Sequence, residues 1–389
     1  MAATELDPHQ LMTINPRIKS YLLRGSLVLL VAVGAWAGWS AFKVWRAWEN
    51  VERIAFDPGA AREILAEPGN LALEDPGAPP TDDTTPVTAN GGDDDPTTSG
   101  IPSDDIILPE VTPLAPDATQ TFLVIGSDQR EETGPSSRAD VILMVILPAG
   151  GDDPVMVSIP RDLYVPNPCT GGKSRINANL NGCGDRVSGP DLLAIAVEDF
   201  TGVQIDHFAV FDFEGFKQIV DRVGGVEICV EHQVRDRKTR PPLDLPAGCA
   251  VADGEMTLSW VRSRKTQELV DGVWRPMVGV NDLTRNQHQQ ELLLEALRRL
   301  KDFRSITEFA GLVEDVAGAF AIDTGLSLGD AIGLTWDLRS INPADILRPV
   351  IPVADYLAPG GAEVLIPQAT FLEVLQSVWP EAGEVLATD

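Results

Sequence analysis

The sequence predicts an α/β domain with a mixed central sheet sandwiched by helices, preceded by a single transmembrane helix and a disordered linker. Three features support this prediction: an uncharged run at Gly25–Phe42, an acidic segment after it, and short apolar runs that alternate with amphipathic segments beyond Gln120. The chain has 389 residues, of which 44% are hydrophobic, and this is enough for a buried core. We therefore expect a folded domain over residues 120–389.

The uncharged run is long enough to cross a bilayer as a helix, and tryptophans near its end are typical of the membrane interface. Bases precede the run and the chain turns acidic beyond Arg46, so the positive-inside rule places residues 1–24 in the cytoplasm. We expect a retained anchor at residues 25–46 and an extracytoplasmic domain after it. A cleaved signal peptide is the alternative, but the run is long for one and no small-residue cleavage site follows. The tryptophans are Trp36, Trp39 and Trp45, and the bases are Arg17, Lys19 and Arg24.

Residues 47–119 are assigned to an acidic linker rich in proline, glycine and aspartate. From Asp57 onward this linker has few large apolar residues, so it cannot bury enough surface to offset its chain entropy, and we expect a disordered tether. The formal net charge of the whole chain is −28. This charge argues against nucleic acid as the main partner, because binding to phosphate backbones requires an excess of lysine and arginine.

The apolar runs beyond Gln120 predict the elements in chain order. Strands are predicted at TFLVIG, VILMVIL and PVMVSIP, then a helix at GPDLLAIAVEDFTG that ends at Gly202, a strand at HFAVFDF, a helix at FEGFKQIVDRVGG and a strand at VEICV. The apolar run Met256–Val261 predicts a further strand that leads into the sequence WVRSR. Because strand side chains alternate between faces, Arg262 and Arg264 would point the same way.

Four cysteines lie in the expected extracytoplasmic domain, where disulfides form: Cys169, Cys183, Cys229 and Cys249. Three pairings are possible, and the pairing of sequence neighbours is the simplest. The first pair would close a loop rich in glycine and asparagine, and the second pair would close a basic loop. Zinc is the competing interpretation, but the sequence has neither a CxxC pair nor a nearby histidine pattern.

Acidic and basic residues occur together at the ends of three predicted strands. The pairs are Asp128 with Arg130, Arg138 with Asp140, and Arg161 with Asp162. In the predicted helix NDLTRNQHQQELLLEALRRL, a polar stripe is formed at positions i, i+3 and i+7 by Asp282, Arg285 and Gln289. These residues form either exposed salt bridges, which contribute little each, or a phosphate site in which carboxylates coordinate Mg²⁺ and guanidinium groups bind phosphate oxygens. The use of arginine rather than lysine favours the phosphate site.

Seven motifs occur in the order and spacing of the LytR-CpsA-Psr family of cell-wall glycopolymer ligases, which the chain resembles over roughly Gln120–Trp379. The motifs are GSDQR, SRAD, SIPRD, SRIN, FEGFKQIVDRVGGVEICV, LPAGCAVADGEMTLSWVRSR and NDLTRNQHQQ. The resemblance implies an enzyme that takes a glycopolymer linked through pyrophosphate to a polyprenyl lipid. Such an enzyme transfers the phosphoglycosyl unit to a hydroxyl of peptidoglycan and releases polyprenyl phosphate. The linker would keep the domain within reach of these lipid carriers while it samples wall acceptors.

The resemblance also implies the roles of the site residues. The carboxylates that would hold Mg²⁺ or Mn²⁺ are Asp128 and Asp140. The arginines that would bind the pyrophosphate are Arg130, Arg138, Arg161, Arg262, Arg264 and Arg285. The residues with catalytic roles would be Arg161, Asp282, Arg285 and Gln289. Two departures from the family pattern concern contacts with the acceptor: Arg175 stands where many members have lysine, and His288 stands where they have arginine.

Two other functions remain open at this point. A hydrolase could use the same groups to cleave the lipid pyrophosphate, with water as the acceptor. A membrane-anchored wall-binding protein could use the arginines without catalysis.

Overall fold

The computed structural model describes residues 39–67, 119–127, 138–148, 153–263, 265–277, 290, 294–295, 311, 313–315, 317–318 and 320–383. The described strands are β1 (Glu52–Ile54), β2 (Thr119–Ser127), β3 (Ala139–Pro148), β4 (Val155–Ser158), β5 (Tyr164–Pro166), β6 (Lys173–Arg175), β7 (His207–Asp212), β8 (Val226–Val230), β9 (Val234–Asp236), β10 (Leu243–Leu245), β11 (Gly248–Ala252), β12 (Gln267–Val270), β13 (Val273–Pro276), β14 (Phe320–Asp323), β15 (Val353–Leu357) and β16 (Glu363–Pro367).

The described helices begin with residues 39–49, which we call the leading helix. The others are α1 (Pro58–Ala66), α2 (Gly189–Thr201), α3 (Phe213–Arg222), α4 (Gly254–Arg262), α5 (Leu328–Ser340) and α6 (Phe371–Gln376). A short 3₁₀-helix at Ile176–Asn181 follows β6.

The main sheet has six strands in the order β1-β14-β7-β2-β3-β4. Strand β2 runs parallel to β7 and antiparallel to β3, and β1 runs parallel to β14. The sheet is therefore mixed, as the sequence predicts. The strands predicted at HFAVFDF, TFLVIG, VILMVIL and PVMVSIP are β7, β2, β3 and β4, which are neighbours in this sheet.

Helices cover both faces of the main sheet. On one face, Leu123 and Ile125 of β2 are fully buried in a core that α2 and α6 share. On the other face, Val124 packs in a cluster with Met156 and Leu294, and Leu294 belongs to the predicted helix that contains the polar stripe. Burying one leucine or isoleucine side chain stabilises the fold by about 1.5–3 kcal/mol. Because successive side chains of β2 point to opposite faces, β2 packs against helices on both sides of the sheet.

Helix α2 begins and ends where the sequence predicts. The Ser188 hydroxyl accepts a hydrogen bond from the backbone N–H of Asp191 and caps the first turn. Gly202 ends the helix at a φ of 73°, a left-handed conformation that glycine adopts without steric cost. The predicted helix at FEGFKQIVDR is α3, and the predicted strand at VEICV is β8.

Each disulfide joins two cysteines that are consecutive among the four in the sequence. Cys169 pairs with Cys183, and Cys229 pairs with Cys249 across the antiparallel strands β8 and β11, where the two residues lie directly opposite each other. All four cysteines are therefore in disulfides, as predicted for an extracytoplasmic domain.

The predicted linker is wrong at its start, because residues 47–67 belong to the folded domain. Strand β1 extends the main sheet by pairing with β14, and α1 packs on α2. The Arg62 guanidinium holds α1 to α2 through ion pairs with Glu198 at 3.0 Å and Asp199 at 2.6 Å. Sequence reasoning missed these elements because β1 is only three residues long and α1 adds little apolar surface. Residues 68–118, which carry the rest of the predicted linker, lie outside the described residues.

The predicted strand at Met256–Val261 is also wrong, because these residues lie within helix α4. The Asp253 carboxylate accepts a hydrogen bond from the N–H of Met256 at 2.9 Å and caps the helix. Leu258 and Val261, which are three residues apart, face the same core cluster, a spacing that fits a helix better than a strand. Arg262 is the last residue of α4, so strand alternation does not set the direction of its side chain.

Most of the predicted anchor lies outside the described residues, because the description starts at Trp39. Among the helices that are described, none is long and apolar enough to cross a membrane. The anchor at residues 25–46 therefore stays a prediction, and its last residues, 39–46, lie in the leading helix.

Candidate functional site

The predicted site residues Arg138, Asp140 and Arg161 lie where neighbouring strands of the main sheet begin or end at one of its edges. Ser127, the last residue of β2, lies level with Asp212, the last residue of the parallel strand β7. The antiparallel strand β3 begins at this edge with Ala139, and β4 ends there at Ser158. We call this edge the site edge.

A β-bulge shapes the site edge at Asp140. Gly126 lies opposite Val141, but the next residue of β2, Ser127, lies opposite Ala139, so Asp140 is the extra residue of β3. Such bulges redirect side chains and are common beside active sites. A Cβ atom at Gly126 would lie 3.0 Å from the Cβ of Val141 and 3.2 Å from the ring of Phe211. Glycine is therefore the residue that best fits this close approach of three strands.

Arg161 connects two carboxylates at the site edge. Its Nη1 contacts Oδ1 of Asp140, and its Nε lies 3.3 Å from Oδ2 of Asp162. The other oxygen of Asp162 lies 3.3 Å from Nε of Arg175. The four side chains thus form a chain of alternating charge, in which the side chain of Arg161 is only 16% exposed. The residues predicted to bind metal and phosphate are brought together, and here they bind each other.

The backbone around Arg161 is held by the 3₁₀-helix. The Arg161 carbonyl accepts a hydrogen bond from the N–H of Asn177 at 3.2 Å, and the N–H of Ile176 donates to the carbonyl of Leu163 at 2.8 Å. Arg175 also donates from Nη2 to the carbonyl of Glu363 at 2.7 Å. The SRIN motif therefore supports the SIPRD motif, and Arg175 both contacts Asp162 and anchors its own loop.

Arg262 reaches the site edge through an aromatic contact. Its guanidinium lies 4.3 Å from the ring centre of Phe213, the first residue of α3, which directly follows β7. A cation–π contact of this kind contributes about 0.5–2 kcal/mol. Arg138, which is exposed, directly precedes β3 at the same edge. Among the described residues, Arg138, Arg161 and Arg262 therefore lie at one edge of one sheet.

The residues on both sides of Arg264 are held by one buried carboxylate. Oδ2 of Asp236 accepts a hydrogen bond from the Ser263 hydroxyl at 2.7 Å and another from the N–H of Lys265 at 3.2 Å. Asp236 is only 4% exposed. Arg264 itself lies outside the described residues, as do Asp128, Arg130, Asp282, Arg285 and Gln289.

One residue of the NDLTRNQHQQ motif does contact the site edge. The amide of Gln290 is buried and donates from Nε2 to the Ser158 hydroxyl at 3.1 Å. Ser158 is the last residue of β4, three positions before Arg161. Leu294, one helical turn further along, is buried against Leu143 and Met156 of the main sheet. Gln290 and Leu294 thus pack against β3 and β4, the strands next to which Arg138 and Arg161 lie.

Sequence reasoning missed three of these contacts. The Gln290 contact could have been found from its spacing, since Gln290 and Leu294 are four residues apart and share a helix face. The Phe213 and Asp236 contacts join residues that are far apart in the chain, and they left no pattern in the sequence.

One of the two predicted metal ligands lies among the described residues. Asp140 is the member of the predicted ligand pair that is described, and it is engaged by Arg161. Within the described part of the chain, no group of three or more histidine, cysteine or acidic side chains could hold a metal ion.

The opposite edge of the main sheet has a different character. His207 Nδ1 lies 3.2 Å from Oδ2 of the buried Asp323, which also accepts hydrogen bonds from the N–H groups of Phe208 and Leu326. Burial alone would lower the pKa of His207, but the hydrogen bond and charge of Asp323 raise it overall. Burial alone would raise the pKa of Asp323, but these hydrogen bonds lower it overall. A cavity of about 490 Å³ at this edge is lined by Arg62, Glu198 and Asp206 among others, and none of the predicted site residues that the structure describes lines it.

Comparisons with known proteins agree with the motifs. The profile of the LytR-CpsA-Psr family matches residues 91–377. LcpB of Corynebacterium glutamicum, a probable cell wall biosynthesis protein, is 30% identical over 265 residues, which cover 63% of this chain and 57% of LcpB. TagT of Bacillus subtilis, a polyisoprenyl-teichoic acid–peptidoglycan teichoic acid transferase, is 29% identical over 235 residues, which cover 59% of this chain and 66% of TagT. The chain therefore spans between about half and two thirds of the length of these relatives.

Solved structures share the fold. The crystal structure of TagV from B. subtilis matches 70% of this chain and 99% of its own length, with a TM-score of 0.56 and 24% identity. A LytR-Csp2A-Psr enzyme from Actinomyces oris matches 70% of this chain and 94% of its own, with a TM-score of 0.54 and 23% identity. The mixed α/β sandwich is thus the fold of these proteins, and the family profile covers well over half of the sequence. The chain belongs to the LytR-CpsA-Psr family.

Proposed function

We propose that this protein is a phosphotransferase that attaches a polyprenyl-pyrophosphate-linked glycopolymer to peptidoglycan through a phosphodiester bond. The main support is the cluster of arginines at the site edge, in a chain whose overall charge is strongly negative. Relatives that are named teichoic acid transferases add support for the reaction class. The polymer carried by this protein's own substrate is left open among arabinogalactan, teichoic acid and capsule.

The charge of the reaction explains the need for arginines. The acceptor hydroxyl gives its proton to a carboxylate, Asp162 or Asp282, and its oxygen bonds to the phosphorus that carries the sugar. The bond from this phosphorus to the bridging oxygen breaks, and polyprenyl phosphate leaves with that oxygen. Negative charge spreads over the phosphoryl oxygens, and preorganised guanidinium groups stabilise it. The leaving group is itself a phosphate, so it needs neutralisation rather than a proton. Arg138, Arg161 and Arg262 would supply this neutralisation together with Arg130, Arg264 and Arg285.

The ion pairs at the site edge are compatible with this role. A diphosphate offers Arg161 the same pair of oxygen acceptors that Asp140 and Asp162 offer in its absence, because guanidinium binds both groups in a two-pronged geometry. Asp140 would then be released from Arg161. Asp140 and Asp162 hold the Arg161 guanidinium in place before substrate binds.

We assign the divalent cation, Mg²⁺ or Mn²⁺, to Asp128 and Asp140. Mg²⁺ is commonly held by one or two carboxylates together with substrate phosphates, and the Asp140 carboxylate at the bulge fits such a donor set. When bound, the cation would neutralise phosphoryl charge and polarise the acceptor oxygen. The Asp140→Asn variant should raise the Mn²⁺ concentration needed for half-saturation, which electron paramagnetic resonance of Mn²⁺ measures without any turnover.

We also assign the protein to the cell membrane, with the N-terminus in the cytoplasm and the domain outside. The uncharged run before residue 43, the bases that precede it and the two disulfides support this placement. The bilayer then brings the lipid substrate and the site together in two dimensions.

Product analysis tests the proposal. The full chain in proteoliposomes is given a glycopolymer lipid labelled at the phosphorus next to the sugar, a peptidoglycan acceptor and Mg²⁺. We expect label in an acid-labile phosphodiester on the peptidoglycan and release of unlabelled polyprenyl phosphate. Free labelled sugar phosphate without bound label would indicate a hydrolase. The lipid substrate could also stay unchanged while the wild type binds it and the Arg161→Ala and Arg262→Ala variants do not. This result would indicate a wall-binding protein without catalysis.

A further inference from the structure

The leading helix belongs to the folded domain. Ala47 is 1% exposed, and Trp48 and Val51 pack in a cluster with Ile322 of β14 and Leu326. The residues on the inner side follow a helical spacing, since Ser40 and Ala47 are both buried and are seven positions apart. The helix is therefore an element of the domain rather than a free extension.

The junction between the leading helix and the main sheet is short and tightly held. The N–H of Asn50 bonds to the carbonyl of Arg46, and β1 begins two residues later at Glu52. The Arg53 guanidinium stacks at 4.2 Å over the ring of Trp48 and donates to the carbonyl of Leu326 at 2.9 Å. This contact clamps the helix to the strand.

The junction also lies near the site edge. Glu52 pairs with Ala321, Ala321 pairs with Val210, and Val210 pairs with Ile125. The chain therefore enters the sheet within two residues of the level at which β2 and β7 end. From the end of the leading helix, the hydrogen-bonded strands β1, β14, β7 and β2 lead across the sheet to the site.

The outer side of the leading helix exposes a row of aromatic rings. Trp39, Phe42 and Trp45 are 61%, 47% and 51% exposed and follow one another at steps of three residues. Their ring centres are 6.4 Å and 6.0 Å apart, so the rings touch in sequence. Lys43 and Arg46 are also exposed on this helix. Aromatic rings beside cations are typical of the headgroup layer of a bilayer, and the uncharged run of the predicted anchor ends directly at this row.

We propose that the leading helix docks the domain on the membrane through this aromatic row and holds the site at a fixed position over the bilayer. The proposal rests on the membrane anchor of the proposed function and replaces the expected long tether. A flexible linker over residues 47–119 would let the domain move over about 45–50 Å. The chain order excludes this role for the acidic segment 68–118, because that segment runs between α1 and β2, which are both parts of the domain.

Spin-label distances test the coupling without any turnover. Labelled unnatural amino acids replace two exposed residues of the full chain in anionic nanodiscs: Ala41, on the leading helix, and Val273, the first residue of β13. We expect one narrow distance distribution and a headgroup-depth environment for the label at position 41. A Gly-Ser segment of eight residues inserted between Asn50 and Val51 should broaden the distribution, whereas the same insertion between Gly91 and Gly92 should not. A broad distance distribution in the chain without an insertion would overturn the proposal. A chain labelled only at position 41 serves as the second control: a measurable distance between two such copies would indicate self-association and would also overturn it.

Activity measurements on the same variants test the consequence for the site. The rate with a full-length polyprenyl carrier in proteoliposomes is compared with the rate with a water-soluble short-chain analogue. The insertion after Asn50 should lower the first rate at least tenfold and leave the second unchanged, and the matched insertion after Gly91 should change neither. An equal fall of both rates would contradict fixed positioning. A wild type that is inactive on both substrates would refute the proposed function, and the spin-label distances would still decide on the docking.

Discussion

Replacing Arg161 separates its structural role from its catalytic role. In Arg161→Ala, Asp140 loses its guanidinium partner, while Asp162 keeps Arg175. The side chains of Arg161, Asp140 and Asp162 are 16–23% exposed, so these ion pairs are intermediate between surface and buried pairs. Losing a surface pair costs less than about 1 kcal/mol, and breaking a buried pair costs about 3–5 kcal/mol. We expect the free energy of unfolding to fall by about 1–2 kcal/mol, and the melting temperature to fall by about 3–6 °C.

The expected loss of activity is larger than this loss of stability. Removing one donor that stabilises transition-state charge lowers a rate by about 10²–10³-fold, which corresponds to about 2.7–4 kcal/mol. Arg161→Lys keeps the charge beside Asp140 but loses the planar fork, so we expect near-normal stability and a rate reduced by about 10–100-fold.

The assay is transfer of labelled glycopolymer to peptidoglycan at a temperature at which all variants are folded, with circular dichroism as the control for folding. A purely structural role predicts that the rate of the folded protein is unaffected. If Arg161→Ala transfers glycopolymer within threefold of the wild-type rate under these conditions, the assignment of Arg161 to phosphate binding is refuted.

Four further predictions concern other parts of the domain. The raised pKa of His207 contributes stability that is full below its ordinary value of 6.5 and is lost as the pH rises through the folded value. The free energy of unfolding should therefore fall as the pH rises above 6.5, and His207→Gln should flatten this profile. The lowered pKa of Asp323 contributes stability that is lost as the pH falls below its ordinary value of 3.8, so acid titration of Asp323→Asn should lack that limb of the denaturation curve. Replacing both cysteines of the β8–β11 disulfide with alanine should cost about 3 kcal/mol in urea unfolding, and a cost near zero would contradict the loop-closure argument. Phe213→Leu removes the ring under Arg262 but keeps apolar volume, so the KM for the lipid substrate should rise about threefold to tenfold while the melting temperature stays within a few degrees, and an unchanged KM would show that the stack does not position Arg262.

The sequence predicted the central strands and the disulfides because each has a strong local signal. The buried runs of β2, β3 and β4 are bounded by glycine, proline and polar residues. The cysteines that pair are consecutive cysteines in the sequence. Helix α4 was misread as a strand because the apolar run before Arg262 is short, so that periodicity could not separate the two states. The capping aspartate, Asp253, was the signal that would have decided for the helix.

The edge strand β1 could not be predicted for a different reason. Its stability comes from pairing with β14, a strand more than 260 positions later in the chain, and nothing within the sequence Glu52–Ile54 indicates that partner. The same holds for the ring of Phe213 under Arg262 and for the contacts of the Asp236 carboxylate with Ser263 and Lys265. Motif spacing identified the arginines, whereas tertiary contacts decide how they are held.

The most direct test of phosphate binding at the site edge is a crystal structure of the protein with a bound polyprenyl pyrophosphate lipid. We expect both phosphorus atoms to lie at the site edge, with Arg138, Arg161 and Arg262 within hydrogen-bond distance of their oxygens and with Asp140 released from Arg161. A lipid whose phosphates lie elsewhere, for instance beside Arg62 in the cavity at the opposite edge, would contradict the account.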